Sequence, residues 1–144
     1  MRLSRVHPEA KLPAYATWGS AGADLALCEA LTIPARSIAL GRTGLVFEIP
    51  DGHEGQIRSR SGLAINRGVV VAQGIGTIDS DYRGEVMIPL YNRTNIPVHF
   101  EAGARVAQII FAPVTKFRFE DADGLQDTER SDGGFGSTGV SGSR

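Results

Sequence analysis

Two short polar stretches of the chain combine residue types that could bind an anionic ligand and act on it. RSRSGLA (Arg58–Ala64) places two arginines, two serines and a glycine at the mouth of a possible helix. Unpaired N–H groups and the partial positive charge at a helix start attract an anion, Ser61 can donate to it, and Gly62 lets it approach the backbone. GTIDSDYRGEV (Gly76–Val86) concentrates carboxylates, an arginine and a tyrosine in an otherwise hydrophobic region. Such a concentration is typical of a functional site.

Each stretch also has a purely structural explanation. Ser61 could be an ordinary N-cap beside solvated arginines, and the charges of Gly76–Val86 could be solvated on a hairpin bracketed by glycines. A third stretch, SAGADL (Ser20–Leu25), places Asp24 after a turn of small residues, and an Asx-turn would account for it. The residues alone leave both interpretations open for all three stretches.

Sequence signatures of the commonest nucleotide and metal sites are absent. The chain has no Walker loop, HExxH, CxxC or GxGxxG in a βαβ setting. Its three histidines, His7, His53 and His99, lie far apart. The single cysteine, Cys28, permits neither an intrachain disulfide nor a cysteine-based metal site, and it favours a reducing compartment.

The composition is that of a globular protein without a strong global charge. The 144 residues fit a single domain, and the net charge is −1. This charge gives no general attraction to nucleic acid or to anionic membranes, so we expect neither as a partner. No apolar run approaches the roughly 20 residues of a membrane span, and no secretory h-region follows the N-terminal basic residues. We therefore expect a cytoplasmic protein.

Glycine and proline divide the chain into short apolar segments rather than long helices. In one segment Val86, Ile88 and Leu90 alternate with more polar positions, as in a half-buried strand. The sequence predicts an all-β sandwich or barrel, with one short helix over Ser61–Asn66 that stops at Gly68. The predicted strands are Ser37–Leu40, Leu45–Ile49, Gly55–Arg58, Val69–Ala72, Glu85–Asn92, Pro97–Phe100 and Val106–Ala112.

Taken in order, the polar stretches resemble the motifs of the trimeric dUTP pyrophosphatase (dUTPase) family. The resemblance implies a β jelly roll over residues 1–129 that assembles as a homotrimer. It also implies a flexible C-terminal arm, residues 130–144, that closes over an active site shared among subunits. The implied reaction is hydrolysis of dUTP to dUMP and pyrophosphate, which limits uracil incorporation into DNA and supplies dUMP. The five motifs are Ala21–Leu25, Arg58–Ala64, Gly76–Val86, Arg105–Phe111 and Arg130–Gly139.

The resemblance implies a catalytic role for Asp79, which matches the aspartate that orients and deprotonates the water attacking the α-phosphorus. It implies Mg²⁺ held by triphosphate oxygens and waters without direct protein ligands, with Asp24 acting on the metal region through water. Tyr82 matches the tyrosine that packs on the deoxyribose and leaves no room for a 2′-hydroxyl.

The resemblance also implies a set of substrate-binding residues. Those that contact the phosphates are Arg60, Ser61, Gly62 and Gln108. The hairpin from Gln73 to Tyr82, which includes Thr77, reads uracil. In the arm, Phe135 stacks on uracil, Gly136 accompanies it, and the residues that reach the phosphates and close the site are Arg130, Ser137 and Thr138.

Three positions depart from the usual family pattern. Ser59 stands where a proline is common before RSG, Gln73 where many members have an asparagine that contacts uracil, and Ser131 where the arm usually has a glycine. The longer amide of Gln73 makes base selection the property most open to change.

Two other functions compete with this one. dCTP deaminases share the fold but place a catalytic glutamate at the position of Pro89, and proline has no group for acid–base chemistry. A non-catalytic nucleotide-binding trimer would be expected to lack the base or the arm, yet Asp79, Arg130 and Phe135 are present. A structural jelly roll without a ligand does not explain the ordered motifs.

Overall fold

The computed structural model describes residues 1–135, 137 and 139, and this part of the chain is almost entirely β-structure. The one helix among these residues has six residues, α1. The predicted all-β fold with one short helix is confirmed. The elements are β1 Arg2–Arg5, β2 Ala14–Tyr15, β3 Ala23–Ala26, β4 Leu31–Ile33, β5 Ile38–Arg42, β6 Leu45–Glu48, β7 His53–Ser59, α1 Ser61–Asn66, β8 Val69–Val71, β9 Ile75–Ile78, β10 Met87–Asn92, β11 Val98–Phe100 and β12 Arg105–Pro113.

The strands pair antiparallel, mostly with partners that are distant in the chain. The largest sheet has the order β2-β3-β12-β7-β9, and a second has the order β5-β10-β8. Two further pairs, β1-β6 and β11-β4, complete the described part. Pairing of this kind between remote segments is what a jelly roll requires.

The core lies between the inward faces of these sheets. β12 and β7 contribute Ile109 and Ile57, and β10 contributes Ile88 and Leu90, all of them buried. The alternation predicted for the β10 segment is confirmed, because Met87 is exposed whereas its neighbour Ile88 is buried. Aromatic packing closes one side of the core, since the rings of Phe47 and Phe111 lie 6.0 Å apart.

The predicted elements agree with the observed ones except at their ends and in the least hydrophobic strands. The helix over Ser61–Asn66 has the predicted bounds, and each predicted strand is present with its ends shifted by a residue or two. β1, β2, β3, β4 and β9 were not expected. β2 is short and exposed, and β9 contains a glycine, so neither shows a clear hydrophobic period.

The hairpin predicted around Gly76–Val86 is wrong as a pair of hydrogen-bonded strands. β9 pairs with β7, whereas β10 pairs with β5 and β8. Between them the Tyr82 N–H donates to the Asp79 carbonyl at 3.2 Å and closes a turn. The segment therefore crosses from one sheet to the other and carries Asp79 and Tyr82 between them.

No helix in the described residues is both long and apolar enough to cross a membrane.

Candidate active site

The start of α1 is open to solvent and carries unused backbone donors. The Leu63 and Ala64 N–H groups both donate to the Arg60 carbonyl, at 3.1 and 3.0 Å. Within the described chain, the Ser61 and Gly62 N–H groups donate to no protein acceptor, and both residues are exposed. A Cβ added to Gly62 would meet no atom within 4 Å. The surface there can accept an anion close to the backbone.

Of the two interpretations left open for Ser61, the structure excludes the ordinary N-cap. The N-cap is Arg60, in extended conformation, and it forms no side-chain cap hydrogen bond. Ser61 is the first helical residue, so its hydroxyl is left free for another partner. The strand β7 runs directly into the helix at Ser59, which explains why an arginine occupies the cap position.

Asp24 holds two arginines beside this helix start. Its side chain is only 12% exposed; its Oδ1 forms an ion pair with Arg60 Nε at 3.0 Å, and its Oδ2 accepts a hydrogen bond from Arg105 Nη1 at 2.8 Å. Arg60 Nη1 also donates to the Arg105 carbonyl at 2.7 Å. The Asx-turn explanation is therefore wrong, because the carboxylate pairs across strands rather than with its local backbone. Such pairing fixes the position of the Arg60 guanidinium before any ligand binds.

Gln108 completes this group of residues. In β12 it lies opposite Asp24 of β3 and opposite Arg58 of β7. Its Nε2 donates to the Ser59 carbonyl at 3.0 Å. A Cβ on Gly22 would come within 2.2 Å of its Oε1, so the glycine provides the space that Gln108 fills. We call Asp24, Arg60, Ser61, Gly62 and Gln108 the Asp24 cluster.

A second group of predicted residues lies in the segment after β9. Thr77 and Asp79 are exposed and, with Tyr82 and Glu85, they line a cavity of about 260 Å³. Asp79 also borders a wider cleft of about 470 Å³ on its other side. We call residues 79–86 the Asp79 loop.

Tyr82 has a defined position within the Asp79 loop. Its hydroxyl donates to the Glu85 carbonyl at 3.1 Å. A Cβ on Gly84 would lie 2.3 Å from that hydroxyl, so the ring can occupy this position only because residue 84 is glycine. The predicted sugar-contacting ring is thus held against its own loop.

Arg42 and Glu85, which sequence reasoning did not assign to the site, anchor the end of the Asp79 loop. Arg42 Nη2 and Nε lie 2.9 and 3.1 Å from Glu85 Oε2, and the Gly44 N–H donates to Oε1 at 2.8 Å. Burial raises the pKa of Glu85, but the hydrogen bonds from Arg42 and Gly44 outweigh it and hold that pKa below its ordinary value. Glu85 lies in the motif of residues 76–86, so its place near the site could have been inferred from the sequence. No feature of the sequence indicates Arg42.

Gln73 lies in the turn before β9 rather than beside Asp79. It is exposed, and the Ile75 N–H donates to its carbonyl at 3.1 Å. A Cβ on Gly76 would be 3.0 Å from its Nε2, so the amide of Gln73 lies in the space beside Gly76 that a side chain would otherwise occupy. Gln73 and Asp79 therefore flank the two ends of β9.

A single subunit does not bring the Asp24 cluster and Asp79 together. Asp79 follows Ile78, which pairs with Gly55 near the start of β7, whereas Arg60 and Ser61 of the Asp24 cluster follow Ser59, the last residue of that strand. At roughly 3.4 Å per residue, the strand between them spans about 15 Å. That separation is far beyond the hydrogen-bond reach that a general base needs.

The described residues of the arm make local turns. Arg130 Nε donates to the Gly133 carbonyl at 2.7 Å, and the Ser137 N–H donates to the Gly134 carbonyl at 3.0 Å. The side chain of Phe135 is fully exposed. Neither contact brings Arg130 or Ser137 to the Asp24 cluster. Gly136 and Thr138, which were also predicted to bind substrate, lie outside the described residues.

The described side chains do not form a metal-binding cage. Among them there is no group of three or more His, Cys, Asp or Glu placed to hold an ion. Both carboxylate oxygens of Asp24 are already in contact with arginines.

Most of this chain is similar in sequence to proteins of a known family. The dUTPase family model matches residues 8–139. The deoxyuridine 5′-triphosphate nucleotidohydrolase of Sinorhizobium medicae is 51% identical over 134 residues, which are 90% of this chain and 84% of the relative. The enzyme of the same name from Anaeromyxobacter is 46% identical over 138 residues, covering 96% of this chain and 94% of the relative.

Solved structures share the fold. A mutant dUTPase of Staphylococcus bacteriophage 80alpha with dUpNHpp superposes with a TM-score of 0.90 at 22% identity, covering 96% of this chain and 98% of that one. A mutant dUTPase from phage phi11 of S. aureus, which coordinates a structural Mg(II) ion, gives a TM-score of 0.80 at 19% identity, covering 86% and 97%. Since the family model spans nearly the whole chain and relatives of one name are about half identical to it, the chain belongs to the dUTPase family and is an enzyme of that class.

Proposed function

We propose that the protein hydrolyses dUTP to dUMP and pyrophosphate, which limits uracil in DNA and supplies dUMP. The observation that carries this proposal is the Asp24 cluster, in which a mostly buried carboxylate fixes Arg60 beside the free N–H groups of Ser61 and Gly62. Donors held in place before the ligand arrives stabilise negative charge that develops on phosphate oxygens. Gln108 adds an amide to the same surface.

Asp79 is the proposed general base. Its carboxylate is exposed on a loop beside a cavity, where it can accept a hydrogen bond from a water molecule. As the water oxygen bonds to the α-phosphorus, Asp79 takes the proton, and the bond from that phosphorus to the bridging oxygen breaks. The electron pair of that bond leaves with pyrophosphate.

The active site is proposed to form between subunits of a homotrimer. Asp79 and the Asp24 cluster lie at opposite ends of β7, about 15 Å apart along the strand, so one chain cannot place both on one phosphate. A neighbouring copy that presents its Asp79 loop to the Asp24 cluster removes that separation. Rotational assembly of identical chains repeats the contact at each interface.

Selection of the nucleoside is assigned to the segment from Gln73 to Tyr82. Tyr82 packs on the deoxyribose and leaves no room for a 2′-hydroxyl, while Gln73 and Thr77 contribute to the reading of uracil. Tyr82 suits this role because its ring is held by a hydrogen bond and by the absence of a side chain at Gly84. A fixed aromatic ring discriminates by shape better than a mobile one.

Residues 130–144 are proposed to form the arm that closes the site, with residues 1–129 as the folded domain. Phe135 stacks on uracil, Gly136 is a further substrate-binding residue, and the residues that contact the phosphates are Arg130, Ser137 and Thr138. The full exposure of Phe135 supports this role, because a large apolar side chain gains a partner only when a base is present.

Mg²⁺ is the proposed cofactor, bound through the triphosphate and water, with Asp24 ordering the surrounding arginines. When bound, the ion neutralises phosphate oxygens and so favours attack at phosphorus.

Cys28 is buried, and that burial raises the pKa of its thiol, which fits a free thiol in a reducing compartment such as the cytoplasm.

The test is pyrophosphate release from dUTP, with UTP, dTTP and dCTP in parallel and with Mg²⁺ present or chelated. Metal-dependent release from dUTP alone supports the proposed reaction, its metal dependence and its selection of base and sugar. Release from dTTP or dCTP as well would mean that Gln73 has relaxed base selection. Ammonia release from dCTP would instead indicate a deaminase, and no reaction with any nucleotide would indicate a binding module.

A further inference from the structure

Arg42 and Glu85 form a close, bidentate ion pair that has no role in the proposed reaction. Arg42 ends β5, and Glu85 lies in the Asp79 loop, 43 residues away along the chain. The guanidinium Nε and Nη2 both contact the carboxylate. The Glu85 side chain is 16% exposed and that of Arg42 37% exposed, so the pair is more shielded than an ordinary surface ion pair.

Glu85 transmits this anchoring to Tyr82. Its side chain is fixed by Arg42 and by the Gly44 N–H, while its main-chain carbonyl accepts the Tyr82 hydroxyl at 3.1 Å. The same residue therefore receives the Arg42 contact at its side chain and holds the tyrosine ring at its main chain. The ring occupies the space that a side chain at residue 84 would fill.

The residue that follows Glu85 is fixed independently. The Val86 N–H donates to the Leu45 carbonyl at 2.8 Å, and Thr43 Oγ1 donates to the Val86 carbonyl at 2.6 Å. The loop is thus fastened to the β5–β6 corner at Val86 whether or not the ion pair is present. The Glu85 carbonyl shares a planar peptide unit with this Val86 N–H, so loss of the Arg42 contact would leave that unit held from one side only and able to tilt together with Tyr82, without releasing the strand β10.

We propose that Arg42 is a positioning residue for sugar selection, which holds Glu85 so that the Tyr82 ring stays where a 2′-hydroxyl would need to be. This inference rests on the proposed function, because Tyr82 is assigned there to the sugar. A planar guanidinium that forms two parallel bonds to a carboxylate fixes both distance and angle, whereas a lysine would supply a single point contact.

The experiment compares Arg42→Met and Arg42→Lys with the wild-type protein, by measuring kcat/KM for dUTP and for UTP in each. We expect the selectivity ratio, kcat/KM for dUTP divided by kcat/KM for UTP, to fall by about tenfold or more in Arg42→Met. Small displacements of a group that selects between substrates have effects of this size. Arg42→Lys should retain part of the ratio. Asn92→Ala serves as the control, because it breaks a buried hydrogen-bond network remote from the loop and should lower Tm while keeping the ratio.

A second comparison shows whether Arg42 acts through the tyrosine. Tyr82→Ala should lower the ratio, and adding Arg42→Met to Tyr82→Ala should then lower it no further, because the group that Arg42 positions is gone. Additive losses would overturn the inference, as would an unchanged ratio in Arg42→Met.

The two proposals fail in distinguishable ways. If wild-type protein releases no pyrophosphate from dUTP, or if Tyr82→Ala keeps the full ratio, then the proposed function or its sugar assignment fails and the inference falls with it. If the ratio of kcat/KM for dUTP to that for UTP falls in Tyr82→Ala but not in Arg42→Met, only the role of Arg42 is refuted.

Discussion

Replacing Asp24 by asparagine tests whether the Asp24 cluster is the phosphate-binding surface. The change keeps one oxygen that can accept from an arginine, but it puts an amide N–H₂ where the other oxygen stood. In the wild-type protein Asp24 Oδ1 forms an ion pair with Arg60 Nε at 3.0 Å, and Oδ2 accepts a charge-assisted hydrogen bond from Arg105 Nη1 at 2.8 Å. One of these two contacts is therefore lost, and the guanidinium of Arg60 is no longer held by a full negative charge.

The size of the effect follows from the exposure of the three side chains. A hydrogen bond to a charged group contributes about 1.5–3 kcal/mol to stability. Asp24 is 12% exposed, but Arg60 is 28% and Arg105 58% exposed, so water can replace part of the loss. We expect the free energy of unfolding to fall by about 1.5–2 kcal/mol. The same energy spent on orienting Arg60 would lower kcat/KM for dUTP by about tenfold to thirtyfold.

Steady-state kinetics and thermal unfolding of the same preparation provide the assay. Glu48→Gln is the matched control, because it removes an ion pair with Arg2 in which the two side chains are 87% and 46% exposed. That change should alter stability by less than about 1 kcal/mol and leave kcat/KM unchanged. A folded Asp24→Asn protein with wild-type kcat/KM would refute the assignment of phosphate binding to this cluster.

Three further predictions concern the base, the arm and the acid stability of the loop. Asp79→Asn should lower turnover by roughly 10²- to 10⁴-fold while equilibrium binding of a non-hydrolysable dUTP analogue is kept; normal turnover would remove Asp79 from the mechanism. Deletion of residues 130–144 should abolish activity with little change in Tm, since the hydrogen bonds described for the arm are local; a large fall in Tm would show a structural clasp. The pKa of Glu85 lies below its ordinary value of 4.5, so its contribution to stability is present above that value and is lost as the pH falls through the folded-state pKa. The stability difference between wild type and Glu85→Gln should therefore shrink in acid, and curves of unfolding free energy that stay parallel would contradict this.

The parts of the fold that follow local hydrophobic patterns could be predicted from the sequence. Three apolar residues without strand alternation gave the bounds of α1, and strict alternation gave the inward face of β10. β2 and β4 have only two and three residues, too few for a period to be visible. Their existence depends on partner strands that no local window contains.

The site was predictable in its residue types but not in its pairings. The motifs supplied Asp24 and Arg60, yet the contact between Asp24 and Arg105 joins residues 81 positions apart and depends on the register of β3 against β12. A register cannot be read from one sequence, because a shift by a single residue would reverse the faces of a strand. The same limit explains why Arg42, whose contact with Glu85 joins residues 43 positions apart, could not be assigned to the site.

The distance along β7 between the Asp79 loop and the Asp24 cluster has a consequence for mixtures of defective proteins. In the proposed trimer each site takes these two parts from different copies, so an Asp79→Asn chain still offers a sound Asp24 cluster, and an Asp24→Asn chain still offers a sound base. Every trimer that contains both kinds of chain then regains one intact site out of three. Random co-assembly of equal amounts would leave roughly a quarter of all sites intact, although each parent alone has none.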